Sequence, residues 1–161
     1  MAGVDVEVRA AEERDRPAIA GLIGELGYNL DDHELVTRLQ AASTNDDVVL
    51  VAIAGGRVVG MIAAAVIPML AEASKAVRIT ALSVTVSMRN KGVGRALVTA
   101  VERHARYIGA EVVEVGSGRR PERLAAHHLY RALGYADANV TTARFWKWSS
   151  APHHGHRADP Q

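Results

Sequence analysis

The sequence predicts an α/β (α+β) fold in which helices flank a mixed, largely antiparallel central sheet. Two apolar runs, residues 48–53 and 58–67, are separated by Ala54-Gly55-Gly56-Arg57, which is the turn chemistry of an antiparallel hairpin. Further along, strand-like and helix-like segments alternate, a pattern that favours parallel pairing. Because one part of the chain indicates antiparallel neighbours and the other parallel ones, we expect one mixed sheet.

The chain before this hairpin predicts one strand and two helices. Val4–Val8 alternates apolar and polar residues, as an opening strand does. Residues 15–27 predict a helix with a proline in its first turn and a glycine at its end. Asp31, with Glu34 three residues later, predicts the cap of a second, short helix. We expect Asp31, Asp32 and Glu34 to cap and solvate that helix; the alternative is an acidic wall for a cationic acceptor.

The second half is organised around the stretch from Arg78 to Ala105, where a strand, a basic glycine turn and an amphipathic helix follow without a spacer. β-Branched residues predict the strand, and apolar residues at three- and four-residue intervals predict the helix. The predicted elements of this half are a loop from Met69 to Lys75, a strand from Val77 to Val86, a helix ending near Gly109, a strand from Glu111 to Val115, a helix from about Glu122 to Leu133, and a closing strand from Val140 to Trp148.

Length and composition indicate one ordinary globular domain. With 161 residues, 48% apolar and 23% charged, the chain can form a single sizeable core. We expect that domain to cover residues 1–149, and residues 150–161 to form a flexible, histidine-containing tail. The formal net charge of +1 provides no basic field for nucleic acid or membranes. Without cysteine there is no disulfide, thiolate metal site or cysteine nucleophile.

The apolar pattern does not predict targeting or membrane insertion. The N-terminal MAGVDVEVRAAEERDR lacks the apolar core of a signal peptide. The longest apolar run, Gly60–Leu70, is interrupted by Pro68 and falls short of the roughly twenty residues that span a bilayer. We therefore expect a cytoplasmic protein.

The turn before the long helix has the chemistry of an anion site. It reads Arg89-Asn90-Lys91-Gly92-Val93-Gly94. A helix N-terminus leaves about four N–H groups unpaired and carries roughly half a positive charge. The glycines let an anion approach the backbone, and Arg89 and Lys91 add full charges. The turn therefore predicts a phosphate or pyrophosphate site; the alternative is a loop that needs glycine only for its backbone freedom.

The spacing of this turn does not fit the two best-known phosphate loops. A dinucleotide fingerprint would need glycine or alanine at Leu97, and the P-loop ending Gly-Lys-Ser/Thr is absent. The pattern present is Arg-x-x-Gly-x-Gly, with Leu82-Ser83-Val84 seven residues upstream. Together these resemble the acetyl-coenzyme A (acetyl-CoA) binding motif of the GNAT superfamily of N-acetyltransferases. The predicted order of elements from Val4 to Trp148 is similar to that superfamily's layout.

The resemblance implies where acetyl-CoA binds. In the superfamily, the strands before and after the phosphate helix splay apart, and the pantetheine arm lies in the gap. The backbone of Val84, and that of Val86, would pair with the arm and polarise the thioester carbonyl, a stabilisation of about 2.7 to 4 kcal/mol per donor. No metal is expected. The cofactor-binding residues implied are Leu82, Ser83, Val84, Val86, Arg89, Asn90, Lys91, Gly92, Val93, Gly94, Arg95 and Arg123.

A second segment supplies a candidate catalytic residue. Residues 126–135, AHHLYRALGY, resemble the superfamily's Ala-x-x-Phe-Tyr-x-x-x-Gly-Phe segment, with Leu129 and Tyr135 as apolar or aromatic substitutes. Tyr130 then matches the tyrosine that stands beside the coenzyme sulfur. A phenol with a pKa near 10 stays protonated at pH 7 and can give its proton to a leaving thiolate. The alternative is a tyrosine that only packs between elements.

Two positions depart from the superfamily pattern. Thr80 stands where close relatives often have a glutamate that acts as general base through water, and threonine cannot take up a proton at neutral pH. Arg123 stands where relatives usually have an asparagine that holds pantetheine. Arginine there could bind a coenzyme phosphate or be a surface helix residue. The sequence therefore leaves open which group acts as general base and how the pantetheine arm is held near Arg123.

No general base can be named from the sequence. His127 and His128 adjoin Tyr130, but adjacent helix positions point in different directions, so at most one of them faces the site. Glu72 and Glu114 are weaker candidates. A specific metal site is not expected from the tail histidines, because they have no partner carboxylate or cysteine; these are His153, His154 and His156.

The hypothesis from the sequence is direct transfer of an acetyl group from acetyl-CoA to an amine of a small molecule or protein. The N-terminal half is reminiscent of small bacterial members, including those that modify aminoglycosides, but this similarity assigns no substrate. Two other classes stay open. One is a non-catalytic acetyl-CoA-binding module, sensory or interacting. The other is a homodimeric interaction protein whose contact surface is Phe145, Trp146 and Trp148.

Overall fold

The computed structural model of the chain describes residues 4–70, 75–119 and 121–137, and its centre is a five-stranded sheet in the order β1-β2-β3-β4-β5. The strands are β1 (Glu7–Ala10), β2 (Val48–Ala54), β3 (Arg57–Pro68), β4 (Lys75–Val84) and β5 (Ala110–Val115). The helices are α1 (Arg16–Glu25), α2 (Asp32–Thr44), α3 (Val93–Tyr107) and α4 (Leu124–Ala132). Short 3-10 turns stand before α1, after β4 and before α4, at Glu13–Asp15, Val86–Met88 and Pro121–Arg123.

Strand pairing is mixed. The first four strands pair antiparallel, and β4 pairs with β5 in parallel. The β2–β3 hairpin closes at Gly55 and Gly56, whose φ angles of +56° and +73° are those of a type I′ turn. β5 can run parallel to β4 because α3 carries the chain back between them. The predicted mixed, largely antiparallel sheet flanked by helices is confirmed.

Helices cover both faces of the sheet. The apolar stripe of α3 is buried against one face, with Leu97, Val98 and Val101 packed around Ile62 and Val77. Fully burying such a side chain contributes about 1.5 to 3 kcal/mol, so this stripe is a principal part of the core. The opposite face packs against α1 and α2, and its buried residues are Ile19, Leu22, Val51, Met61 and Leu35.

Side-chain hydrogen bonds cap α2 and hold the turn before α1, although Asp15 does not cap α1 itself. The Asp31 carboxylate accepts a bond of 2.7 Å from the Glu34 N–H, which confirms the predicted cap of α2. Before α1, the Arg9 guanidinium donates to both carboxylate oxygens of Asp15, at 2.6 and 2.9 Å, and the Glu12 N–H donates at 2.8 Å. The Arg9 hydrogen bonds are the main reason why the pKa of Asp15 lies below its usual value.

The opening strand lies further along the chain than its alternation predicts. It is Glu7–Ala10 rather than Val4–Val8. Glu7 pairs with Ile53, so Val6 would stand opposite Ala54, the last residue of β2, and Val4 and Asp5 have no neighbouring strand to pair with. Val6 and Val8 still pack on the core, whereas Val4 is exposed. Alternation identified the burial of Val6 and Val8 but neither the exposure of Val4 nor the extent of backbone pairing.

The predicted strand Val77–Val86 is displaced by two residues at each end, and β4 ends at Val84. Val86 lies in the following 3-10 turn with 67% of its surface exposed, so it is not a strand residue. α4 begins at Leu124 rather than near Glu122, because the residues from Pro121 form a 3-10 turn. α2 is longer than expected and continues to Thr44.

Some predictions fall outside the described residues. These are the closing strand 140–148 with its aromatic residues, Glu72, and the tail histidines. The single domain over residues 1–149 stays a prediction. Within residues 4–70, 75–119 and 121–137, no helix has the length and apolar character needed to cross a bilayer.

Candidate active site

β4 and β5 separate part-way along the sheet. Their parallel pairing ends at Ile79 and Val115, whereas β4 continues to Val84. The register between β3 and β4 skips Thr80, which is therefore the extra residue of a β-bulge. A bulge bends its strand and increases the local twist. β5 therefore does not cover the edge of β4 beyond Thr80, and a gap opens there.

The end of β4 directs two backbone N–H groups toward this gap. The Thr85 N–H donates to the Val59 carbonyl oxygen at 2.9 Å, so Thr85 faces β3. Residues along an antiparallel strand alternate between facing their partner and facing away from it. Leu82 and Val84 therefore face the gap, whereas Ser83 faces β3. An extended ligand can bond to such an edge as an added strand would.

Ser83 does not take part in that edge directly. Its backbone faces β3, and the residue is only 4% exposed. Among the described residues its hydroxyl has no hydrogen-bond partner. A direct backbone contact from Ser83 to a ligand in the gap is therefore not expected. Ser83 belongs to the predicted motif only because it lies between Leu82 and Val84.

Arg89 connects the end of β4 to α1. Its Nε donates to the carbonyl oxygen of Val84 at 3.0 Å, and one of its terminal nitrogens lies 3.3 Å from a carboxylate oxygen of Glu25. The other carboxylate oxygen of Glu25 accepts a longer bond, 3.4 Å, from the Thr85 hydroxyl. The Val84 carbonyl is thus already hydrogen-bonded to Arg89, whereas the Val84 N–H is directed to the gap.

The basic glycine turn forms the start of α3. Gly92 is the residue before the helix and has a φ of +87°, a left-handed conformation that disfavours residues with a side chain. A Cβ on Gly94 would lie 3.0 Å from Cδ2 of Leu129, so glycine there allows α4 to approach α3 closely. Among the described residues no side chain caps the helix, and its first backbone bond is from the Ala96 N–H to the Gly92 carbonyl. The N–H groups of the first turn are thus available to an anion, with the exposed Lys91 and Arg95 beside them.

Tyr130 lies where α4 meets the sheet. It is 8% exposed, and its ring packs against that of Tyr135 with centroids 5.7 Å apart. Burial raises the pKa of the Tyr130 phenol above its usual value, and the positive charge of Arg123 opposes part of this rise. The phenol is consequently protonated at neutral pH. Tyr130 and Arg123 line the same cleft, so Arg123 is not simply a surface residue.

The structure does not identify a general base among the candidates it describes. The Thr80 hydroxyl donates to the Ala63 carbonyl at 3.2 Å. His127 is held by a contact of 3.1 Å between its Nε2 and the Ser117 hydroxyl, whereas His128 is exposed. Glu114 accepts a bond of 2.6 Å from Arg78 on β4. These contacts give Thr80, His127 and Glu114 structural roles.

The three acidic residues at the start of α2 cap the helix or pair with arginines; they do not line a site for a cationic acceptor. Asp31 caps the helix, Asp32 lies 3.7 Å from Arg16, and Glu34 lies 3.1 Å from Arg38. None of these three carboxylates belongs to the lining of the cleft beside Tyr130. The described residues therefore give no support to an acidic wall for a cationic acceptor.

A cleft of about 560 Å³ lies between α1, α2, the sheet and α4. At one end it reaches Thr80, Leu82 and Tyr130, where the gap between β4 and β5 opens. Its floor combines alanines of β3 and β4 with the larger Met61, Ile79 and Leu82. Its walls are mainly apolar side chains of α1, α2 and the segment that joins them. Small-molecule sites are commonly concave and mostly apolar, with a few polar groups that orient the ligand.

The structure brings together most of the residues that the sequence singled out. Thr80, Leu82 and Tyr130 line one cleft, and a Cβ on Gly94 at the start of α3 would lie 4.0 Å from Cγ2 of Val84, whereas Val86 lies in an exposed turn. Sequence reasoning missed Glu25, because its partners Thr85 and Arg89 lie 60 and 64 positions away. It also missed the apolar cleft, which is formed by elements far apart in the chain. No local sequence pattern could have revealed either feature.

Comparison with known families and structures agrees with this arrangement. A family model described as "Acetyltransferase (GNAT) family" matches residues 11–135. A comparison with proteins of curated function gives no significant match.

Several solved structures have the same fold over nearly the whole chain. An acetyltransferase of Trypanosoma brucei is 24% identical, with a TM-score of 0.73 over 91% of this chain and 100% of that one. Glucosamine-6-phosphate N-acetyltransferase of Arabidopsis thaliana is 18% identical, with a TM-score of 0.72 over 91% and 100%. The aminoglycoside N-acetyltransferase AAC(6')-Iy, in complex with the bisubstrate analog CoA-S-monomethyl-acetylneamine, is 19% identical, with a TM-score of 0.75 over 91% and 99%. At these identities the similarity establishes the fold and not the substrate.

Proposed function

Because the chain belongs to the acetyltransferase (GNAT) family, we propose that it transfers an acetyl group from acetyl-CoA directly to a primary amine. The observation that carries this proposal is the gap between β4 and β5, with backbone N–H groups on one side and the buried phenol of Tyr130 at the adjoining cleft. An extended thioester fits such a gap, because its amides can pair with the strand edge.

The residues around the gap suit the parts of the coenzyme. The uncapped start of α3, with Lys91 and Arg95, suits the pyrophosphate. The backbone of Leu82 and Val84 suits the pantetheine arm, and the Val84 N–H is directed where it can donate to the thioester oxygen. A donor that is fixed before the reaction stabilises developing negative charge at no cost of reorganisation.

Tyr130 has the properties of a general acid for this reaction. In the proposed step, the amine nitrogen forms a bond to the acetyl carbon and the bond from that carbon to sulfur breaks. The leaving sulfur takes up the phenolic proton, and the proton lost by the amine passes to water in the open cleft. The raised pKa of Tyr130 keeps the phenol protonated before the step.

Substituting Tyr130 tests this role. Tyr130→Phe should lower kcat by about a hundredfold, the lower end of general acid catalysis, with little change in the KM for acetyl-CoA. Steady-state thiol release with a saturating amine measures both constants. Tyr107→Phe, which removes an exposed hydroxyl at the end of α3, is the matched control. An unchanged kcat in Tyr130→Phe would remove Tyr130 from the mechanism.

One observation favours a second candidate, a non-catalytic acetyl-CoA-binding module. Thr80 occupies the position at which a general base is often found in similar proteins, and its hydroxyl bonds to the Ala63 carbonyl. Such a module would bind acetyl-CoA without releasing thiol in the presence of amines, so the same assay separates the two candidates. The cytoplasmic location and the homodimer expected from the sequence also remain proposals.

A further inference from the structure

The cleft beside Tyr130 is the route by which an acceptor can reach the reaction centre. It extends from Thr80, Leu82 and Tyr130 to the space between α1 and α2. The amine must meet the thioester at the first end, so the body of the acceptor occupies the remainder. The chemistry of the cleft lining therefore indicates the chemistry of the acceptor.

Most of that lining is apolar. Ala63 and Ala81, which pair across β3 and β4, have small side chains and so leave the cleft deep at this point. Ala65 continues this alanine floor along β3. The walls are aliphatic side chains of α1, α2 and the segment between them, together with Tyr28, which is 46% exposed. Covering such surface with an apolar group is favourable, and the alanine floor leaves room for a ring or a branched chain.

The charged groups in the lining favour an anion over a cation. They are Arg38, Asp47 and Arg123. Asp47 accepts a hydrogen bond of 2.9 Å from the Val66 N–H, so its carboxylate already serves the fold. Arg38 lies 3.1 Å from Glu34. Within the part of the chain that the structure describes, no carboxylate is paired with Arg123, and its charge acts on the phenol of Tyr130.

The distance between Arg123 and Tyr130 suits a small bifunctional ligand. Arg123 stands immediately before α4, seven residues ahead of Tyr130. Seven residues correspond to about 10 Å along a helix, and both side chains border the same cleft. The long arginine side chain can bridge much of that distance, so a group bound by Arg123 and an amine near Tyr130 can belong to one small molecule.

Resting on the proposed acetyl transfer, we propose that the acceptor is a small primary amine on an aromatic or branched aliphatic body that also carries a carboxylate. Arg123 binds the carboxylate, the alanine floor and apolar walls hold the body, and the amine is presented to the thioester beside Tyr130. A polycationic amine would place positive charge near Arg123 in a mostly apolar cleft, which is unfavourable.

Matched acceptors test the proposal. Thiol release is measured for L-phenylalanine and phenethylamine, and for L-leucine and isopentylamine, which differ within each pair only by the carboxylate. Spermine and neomycin represent polycationic amines. We expect kcat/KM for each amino acid to exceed that of its decarboxylated partner and of both polycations at least tenfold. Equal rates within the pairs, or a faster reaction with the polycations, would overturn the assignment.

Two variants and one control variant test which residues determine the preference. In Arg123→Gln, the preference for L-phenylalanine over phenethylamine should fall to less than threefold, while the KM for acetyl-CoA is unchanged. Arg131→Gln, on an exposed position of α4, should keep the full preference. Ala81→Leu should raise the KM for L-phenylalanine more than tenfold but that for glycine much less. If Arg123→Gln keeps the preference for L-phenylalanine over phenethylamine, the proposal is wrong. If its KM for acetyl-CoA also rises, Arg123 binds the coenzyme instead of the acceptor.

The same data separate this inference from the proposed function. Thiol release with polycations alone would refute the acceptor class and leave acetyl transfer in place. Calorimetric binding of acetyl-CoA without thiol release from any amine in the panel would refute acetyl transfer, and the acceptor class with it.

Discussion

The Nε of Arg89 donates a hydrogen bond of 3.0 Å to the carbonyl oxygen of Val84. The bond joins the first residue of the basic glycine turn to the last residue of β4. The same guanidinium also contacts Glu25 at the end of α1, a helix that borders the cleft beside Tyr130. One side chain thus connects β4, the basic glycine turn and α1. By holding the Val84 carbonyl, Arg89 fixes the end of β4 beside the gap in which we propose that the thioester binds.

We predict that Arg89→Ala lowers kcat/KM for acetyl-CoA about tenfold. This corresponds to about 1.4 kcal/mol, the size of one hydrogen bond to a charged group. Arg89→Lys keeps the charge but cannot make both contacts in their present directions, so it should restore little activity. Full recovery in Arg89→Lys would mean that Arg89 acts only as a positive charge. Arg103→Ala, exposed on α3, is the control and should have no effect.

The two glycines of the turn should differ in their contributions to stability. Gly92→Ala places a side chain at a φ of +87° and should lower the free energy of unfolding by about 1 to 2 kcal/mol. Gly94→Ala should cost less, because the atom it approaches is the flexible end of Leu129. Leu129→Val shortens that side chain and should offset the cost of Gly94→Ala but not that of Gly92→Ala. Urea unfolding of the single and double variants measures these free energies of unfolding. The prediction would be wrong if Leu129→Val stabilised Gly92→Ala as much as Gly94→Ala.

Alkaline pH should destabilise the fold through Tyr135. Burial first, and then the Glu102 carboxylate, raise the pKa of Tyr135 well above its usual value. The unfolded chain loses this proton from about pH 10, whereas the folded chain retains it, so the stability contribution is complete below pH 10 and declines above it. Urea unfolding at pH 8 and pH 11 should show a smaller decline for Tyr135→Phe than for the unaltered protein. The control Tyr107→Phe, exposed on α3, should decline as the unaltered protein does; equal declines in all three proteins would contradict the prediction.

The order of elements could be predicted from the sequence because local signals determine it. The Gly55–Gly56 turn, the cap at Asp31 and the apolar spacing of α3 each concern residues close together in the chain. The exact ends of strands depend on partners far away. β1 cannot extend to Val4 because β2 ends at Ala54, and alternation within residues 4–8 contains no information about that partner.

The sequence located the backbone and turn of the candidate site but not its side-chain network. The glycine turn does precede α3, with Gly92 in a left-handed conformation, and Tyr130 lies in α4. The coenzyme-binding and catalytic roles of these residues stay predictions. The bulge at Thr80 follows from the register between β3 and β4, which the sequence does not specify. The contact between Glu25 and Arg89 spans 64 positions and depends on how α1 packs against β4.

The most direct test of the account is calorimetric titration with acetyl-CoA of the protein and of a Lys91→Glu, Arg95→Glu double variant. Both side chains are exposed, so the substitutions should leave the fold intact, which thermal unfolding would verify. We predict micromolar binding that weakens at least about a hundredfold when two negative charges stand beside the start of α3. No binding to the unaltered protein, or equal binding to a correctly folded variant, would contradict a coenzyme site at this turn.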